Sequence, residues 1–381
     1  MSTRGSAKAS AAILIVLFVA GLLFGGLAAY YFVNNQFNGK LDGMSSQIAI
    51  LESQVSNLKG FQNATYQNIT ILQNGTSLTS LYDDVRGSIV LVEGDTSSGT
   101  QQGSGFVYKF SASTVVLTNY HVVQGVTGLS VTFSDGRGYS AEVLGEDPYS
   151  DLAVLSVDAP ASEFKPLAIV SSSTLAVGEP VVAIGNPYGL VGSMTTGVVS
   201  ALGRTITENT SNGYSIANVI QTSTPINPGN SGGPLLNAVG NVVGITTAIV
   251  SNSQGLGFAV PSDTILRELN ALITTGSYGG HSYLGVVGED MSYSLAQQSG
   301  SNVTYGWKIT QVVSGGPSDG KLKVGDIIIG LNNQTVTSED DLASYLEEHT
   351  LPGDSVVVTV VRGNSLVNVN VILGSRPPPS S

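Results

Sequence analysis

The sequence predicts a mainly β chain of more than one unit, and three observations carry that expectation. Short β-branched runs separated by Gly, Ser, Asn and Asp recur from Leu81 to about Ala271, the texture of a β-sandwich or barrel. A smaller region, Tyr283–Leu373, mixes such runs with one helical stretch. Ahead of both, an almost unbroken apolar run from Ala9 to Val33 exceeds the about 20 residues that span a bilayer.

Composition narrows the classes. The 381 residues suit roughly two domains, and 41% hydrophobic residues supply packed cores. Only 11% are charged, against about 25% in ordinary soluble chains. A net charge of −12, with no basic cluster beyond the first residues, argues against nucleic acid, which is held through cationic contacts to phosphate. The lack of cysteine excludes disulfides, a thiol nucleophile and Cys-based zinc sites. No metal or cofactor is expected.

Arg4 and Lys8 flank the apolar run on its N-terminal side only. The positive-inside rule therefore predicts a cytoplasmic tail (1–10), an anchor (11–33) and everything later on the outer side. Small residues near Ala28-Ala29 offer signal cleavage as the alternative, though signal cores are shorter. In the stalk (34–80), Leu41, Met44, Ile48, Leu51, Val55 and Leu58 alternate by three and four, which predicts a short coiled coil; a lone amphipathic helix is the competing reading. Six Asn-x-Ser/Thr sequons, at Asn63, Asn68, Asn74, Asn209, Asn302 and Asn333, are compatible with glycosylation on that side.

The unit at 81–275 is expected to carry strands at Ser88–Val92, Gly105–Phe110, Thr114–Thr118, Leu129–Phe133, Leu152–Val157, Val181–Ile184 and Asn241–Thr247. A closing helix over Pro261–Leu272 should be capped by Ser262 or Asp263. After a glycine-rich linker, the unit at 281–374 should hold five strands and a helix over Ser338–His349 with Ser338 as N-cap. The proline-rich tail, 375–381, reads as disordered.

Chemistry centres on Asn227-Pro228-Gly229-Asn230-Ser231-Gly232-Gly233-Pro234. A serine on a glycine-rich turn can present Oγ while neighbouring N–H groups converge on one point, as an oxyanion hole requires. The competing reading is a polar surface loop. Serine needs a base, and the base an orienting acceptor. Of three histidines, His281 lies among linker glycines and His349 ends an acidic helix, leaving His121 after the apolar strand Val115–Thr118. Asp151 opens Leu152-Ala153-Val154-Leu155, whereas Asp147, followed by Pro148, reads as a turn residue. The order His121, Asp151, Ser231 is that of the chymotrypsin class.

Thr118-Asn119-Tyr120-His121-Val122-Val123, Ser150–Leu155 and Asn227–Leu235 resemble the three catalytic blocks of the HtrA/Deg family of serine proteases. Gly255–Pro261 resembles the end of its protease domain, and Tyr283-Leu284-Gly285-Val286 with Gly325-Asp326-Ile327-Ile328 resembles its PDZ domain. The resemblance covers about residues 81–373 and implies a chymotrypsin-like double β-barrel followed by a PDZ domain, as in membrane-tethered single-PDZ members. It implies Ser231 as nucleophile, His121 as base and then acid, Asp151 as orienter, and the amides of Gly229 and Ser231 as oxyanion hole. The S1 pocket is expected between Thr224–Ile226 (Thr224, Ile226) and Gly244–Ala248 (Gly244, Ile245, Thr246), and Tyr283, Leu284, Gly285 and Val286 are expected to take C-terminal peptides. Implied partners are unfolded or misfolded polypeptides, and the implied assembly is a trimer, although Ile48 and Val55 against Leu51 and Leu58 favour dimeric coils. A chaperone or stress sensor with little proteolysis is the alternative function. Asn230 replaces the Asp of zymogen-activated relatives, so no activating cleavage is expected. Where some members carry a long regulatory insertion, this chain has only Gly94–Gly103.

Overall fold

The computed structural model describes residues 25–27, 77–97, 99–186, 192–207, 215–227, 229–247 and 256–378. No helix of the described residues is long and apolar enough to cross a membrane; the expected anchor and coiled coil lie almost wholly outside them, as do Asn63, Asn68, Asn74 and Asn209. Both barrels and the smaller sheet belong to one compact unit within residues 71–381.

Strands β1 (Ile89–Thr96), β2 (Gly99–Phe110), β3 (Ser113–Thr118), β4 (Thr127–Thr132), β5 (Gly138–Asp147) and β6 (Leu152–Val157) close one barrel in the order β1-β2-β3-β6-β5-β4. A second barrel, β10-β11-β12-β9-β8-β7, is built from β7 (Pro180–Gly185), β8 (Ser193–Thr207), β9 (Ser215–Thr222), β10 (Pro234–Leu236), β11 (Val242–Thr247) and β12 (Gly257–Pro261). Each expected strand of this region corresponds to an observed one. The pattern missed β5, β8, β9, β10 and β12. The run Gly94–Gly103 is a tight hairpin, paired without interruption out to Thr96 and Gly99.

The barrels share a core. Phe106, Leu117, Leu152 and Val154 of the first meet Val182, Ile184, Leu236 and Ile245 of the second. The short helix α1 (Leu78–Val85), α2 (Tyr120–Val123) and the closing helix α3 (Ser262–Thr275) follow the chain order. Leu81 and Val85 of α1, with Ile265, Leu269 and Leu272 of α3, seal that core. Burying each such side chain contributes about 1.5–3 kcal/mol, which ties the two barrels together along their seam. The expected cap of α3 needs correction: Pro261 is the N-cap and no side chain caps it. Ser262 instead donates Oγ to Val170 O, and Asp263 N–H donates to Ser172 Oγ.

Beyond α3, β13 (Ser282–Tyr283) is followed by β14 (Val286–Asp290), α4 (Tyr293–Ser299), β15 (Trp307–Val312), β16 (Ile327–Leu331), β17 (Gln334–Thr335), α5 (Glu339–His349), β18 (Ser355–Arg362), β19 (Ser365–Ile372) and β20 (Gly374–Ser375). The sheet order is β14-β15-β16-β18-β19, and β13 pairs with β20. Ser338 caps α5 as expected, accepting from Asp341 N–H. Helix α4 was not anticipated. The expectation of a disordered tail also needs correction up to Pro377: β20 pairs with β13, Arg376 N–H donates to His281 O at 3.0 Å, and the Arg376 guanidinium stacks 4.0 Å from the Tyr149 ring centre.

Candidate active site

The turn bearing Ser231 is set by backbone chemistry. Asn230 N–H donates to Asn227 O and Gly233 N–H to Asn230 O, both at 2.9 Å. Gly229 has φ +99° and Gly232 φ +85°, conformations that favour glycine. A Cβ on Gly232 would lie 2.0 Å from Ser104 O. Both barrels grip the turn. Ser104 of β2 donates its N–H to Ser231 O at 2.7 Å and its Oγ to Gly229 O at 2.5 Å. From β11, Thr246 Oγ1 donates to Asn230 O at 2.6 Å and Thr246 O accepts from Gly232 N–H. Among the described residues the N–H groups of Gly229 and Ser231 have no acceptor. Free amides two residues apart on a constrained turn are what an oxyanion site needs.

His121 stands on α2, directly after β3. Thr118, three residues earlier, donates Oγ1 to the same Ser104 O that abuts Gly232, which brings the His121 segment to the Ser231 turn. Asp151 is fully buried. His121 Nδ1 lies 3.0 and 2.9 Å from the two Asp151 oxygens, and His121 N–H donates to Oδ1 at 2.9 Å. With the proton on Nδ1, Nε2 is left as the basic nitrogen. Two residues to which the sequence assigned no part beside Asp151 complete the arrangement. Thr247 Oγ1, from the second barrel, donates to Asp151 Oδ2 at 2.8 Å, and Asn119 Nδ2 donates to Asp151 O at 2.9 Å. A hydroxyl at the end of an apolar strand was the only available signal for Thr247.

Not every expected substrate contact faces a cleft. Ile245 sits in the shared core, and the Thr246 hydroxyl is committed to Asn230 O and Gly233 O. Gly244 pairs with Leu235 and Pro261 inside the barrel. Thr224 is buried, its Oγ1 2.8 Å from Thr222 Oγ1. Half-buried Ile226 packs on the Val181–Val243 core, and a Cβ on Gly257 would meet both Thr224 O and Ile226 Cγ1. Thr224 and Gly257 are thus packed behind half-buried Ile226, while Thr246 holds the nucleophile turn through Asn230 O and Gly233 O. Ala248 lies outside the described residues.

At the far unit, Tyr283, Leu284, Gly285 and Val286 border a cleft of about 190 Å³ together with Leu342 and Leu346 of α5. Gly285 has φ +77°, and a Cβ there would press on Pro317. Strand β14 is at the edge of its sheet, leaving backbone groups available for an added strand.

Residues 103–245 match a family described as trypsin-like peptidase domain, and residues 283–373 match the PDZ domain. "Protease Do-like 1, chloroplastic" of Arabidopsis thaliana is 37% identical over 73% of this chain and 65% of its own length. "Serine protease Do-like HtrA" of Lactococcus lactis subsp. cremoris is 34% identical over 96% of each chain. The chain spans 54% of the length of "Probable periplasmic serine endoprotease DegP-like" of Chlamydia muridarum, at 38% identity over 72% of this chain. Among solved structures, "HtrA-type protease AlgW with tripeptide" superimposes with a TM-score of 0.65 at 31% identity, covering 80% of this chain and 99% of that one.

Proposed function

The chain belongs to the HtrA/Deg family of serine proteases, and we propose that it is a serine endopeptidase in which Ser231 attacks, His121 transfers the proton and Asp151 orients His121. The observation that best supports this is the buried Asp151 carboxylate, which accepts from His121 of one barrel and Thr247 of the other. Ser231 Oγ adds to the scissile carbonyl as His121 Nε2 takes its proton. The oxyanion is received by the Gly229 and Ser231 amides, and His121 returns the proton to the leaving amine. Water then repeats the sequence on the acyl-enzyme.

Substrates in this reading are unfolded or damaged extracytoplasmic polypeptides, cut after small or medium aliphatic residues. Neither Thr224–Ile226 nor Gly244–Ala248 contains an acid, so a Lys or Arg side chain would be buried there without a partner. The cleft at Tyr283–Val286 takes C-terminal peptides as a strand added to β14; the edge position of β14 beside that cleft supports this reading. Residues 11–33 tether the enzyme to the membrane with both folded units outside, and it works as a homotrimer. The test is digestion of an unfolded protein such as casein by the full chain. Ser231→Ala should abolish it, and cleavage by that variant at the wild-type rate would reject the reading.

A further inference from the structure

Asp151 adopts φ +50°, a left-handed conformation uncommon for a residue other than glycine. Such a conformation persists only where the surroundings over-determine it. Part of the restraint is local: Asn119 holds Asp151 O, and Asp151 N–H reaches Pro148 O at 3.4 Å. The rest reaches the preceding turn, Asp147–Ser150, from outside the first barrel.

Three side chains of that turn are held by later segments. Asp147 Oδ2 lies 2.6 Å from His281 Nε2. Ser150 Oγ donates to Glu268 Oε1 at 2.7 Å. The Tyr149 ring carries the Arg376 guanidinium, and its hydroxyl donates to Pro377 O. The first two anchors belong to a closed ring. His281 Nδ1 meets Glu347 Oε2 at 3.1 Å, Glu347 pairs with Arg267, and Arg267 Nη2 meets Glu268 Oε1 at 3.0 Å. From Asp147 through His281, Glu347, Arg267 and Glu268 back to Ser150, the path begins and ends on the turn that aims Asp151. Only the imidazolium form of His281 can donate to both carboxylates at once. Burial alone would pull its pKa down, but the hydrogen bonds to Asp147 and Glu347 outweigh it and push the pKa up to about 10. Tyr149 also packs in one cluster with Tyr120, the neighbour of His121.

We propose that His281 and Arg376 are positioning residues for catalysis, holding the Asp147–Ser150 turn so that Asp151 stays aimed at His121. The inference rests on the serine-protease reading. It makes the linker and the segment after the last strand part of what sets turnover, although neither touches substrate.

The test uses the full chain and two variants, His281→Gln and Arg376→Ala, the second leaving the charge ring uncut. Turnover of an internally quenched peptide and the rate of Ser231 labelling by a fluorophosphonate are measured below the thermal midpoint of each protein. We expect His281→Gln to lower kcat and labelling together by about tenfold with KM within about twofold, since small misplacements of catalytic groups cost rate rather than binding. Arg376→Ala should lower both by about threefold. His281→Lys, which restores a cation, should recover part of the loss. Folded variants with wild-type kcat, a loss confined to KM, or a rise in kcat would each overturn the proposal. Absence of Ser231 labelling in the unaltered chain would overturn the protease reading itself, a result distinguishable from all three.

Discussion

His281 Nε2 and Asp147 Oδ2 stand 2.6 Å apart across 134 residues of sequence, both almost fully buried. The pair joins the linker before the PDZ unit to the end of β5, four residues ahead of Asp151. Around His281 are ranged Asp147, Glu347, Glu268, Arg267 and Arg376, with the rings of Tyr149 and Tyr278 packed edge-on at 5.3 and 5.1 Å. Buried charge at this density is stable only while each partner is present.

Stability should therefore depend on pH. His281 is raised to about 10 from an ordinary value of about 6.5. Its contribution is complete below about pH 6.5 and is lost as pH rises through about 10. Glu268, pushed up to about 8 by burial and then by Asp147, acts in the same direction, because its ionisation inside the protein is disfavoured. The thermal midpoint should fall by several degrees between pH 7 and pH 10, and His281→Gln should flatten that limb. A midpoint unchanged to pH 10 in the unaltered chain would contradict the burial of this charge.

Thr247→Val should be costly. The substitution keeps volume but leaves Asp151 Oδ2 without the hydroxyl that donates to it at 2.8 Å. Among the described residues Oδ2 then keeps only its contact with His121 Nδ1. Losing a hydrogen bond to a charged group costs about 1.5–3 kcal/mol, so kcat/KM should fall by roughly tenfold or more if that loss bears on the aim of Asp151. Thr247→Ser should retain most activity. Steady-state kinetics on a peptide substrate decides the matter.

Asn230→Asp should destabilise rather than activate. Asn230 is 2% exposed, and among the described residues its Oδ1 has no hydrogen-bond partner. A carboxylate there would be a buried, unpaired charge costing about 3 kcal/mol. Denaturant titration should show the midpoint lowered, and intact-mass measurement should find the active unaltered chain without internal cleavage. Activity confined to an internally cut form would refute the absence of a zymogen step.

Peptide-library profiling tests the S1 reading. Val, Ala and residues of similar size should dominate at P1, with Lys and Arg disfavoured by at least tenfold because their charge would be desolvated without a partner. A strong basic preference would show that an acid from elsewhere in the chain reaches the pocket.

The sequence exposed what is local. The β-branched runs became strands because apolar side chains sit on both barrel faces, as in β6, whose first four residues are buried. The long β8 and half-exposed β5 escaped notice, since their Gly, Ser, Thr and Glu present no apolar alternation. Ser231, His121 and Asp151 stood out because nucleophile, base and carboxylate each carry a motif. Thr247 carries none, and Asn119, though inside the His121 block, shows its part only through where the chain brings it against Asp151 O. Asp147 and His281 were passed over for a similar reason. Pro148 beside one and glycines beside the other signal loops, and their burial is created by α3, α5 and the tail. Charge networks between distant segments leave no periodic trace.

The most direct test of the central claim is mass spectrometry of the full chain after exposure to a fluorophosphonate. A single adduct on the peptide containing Ser231 is predicted, abolished by Ser231→Ala and slowed by orders of magnitude in His121→Ala. No adduct on Ser231, or equal labelling in His121→Ala, would contradict the assignment of these residues as nucleophile and base.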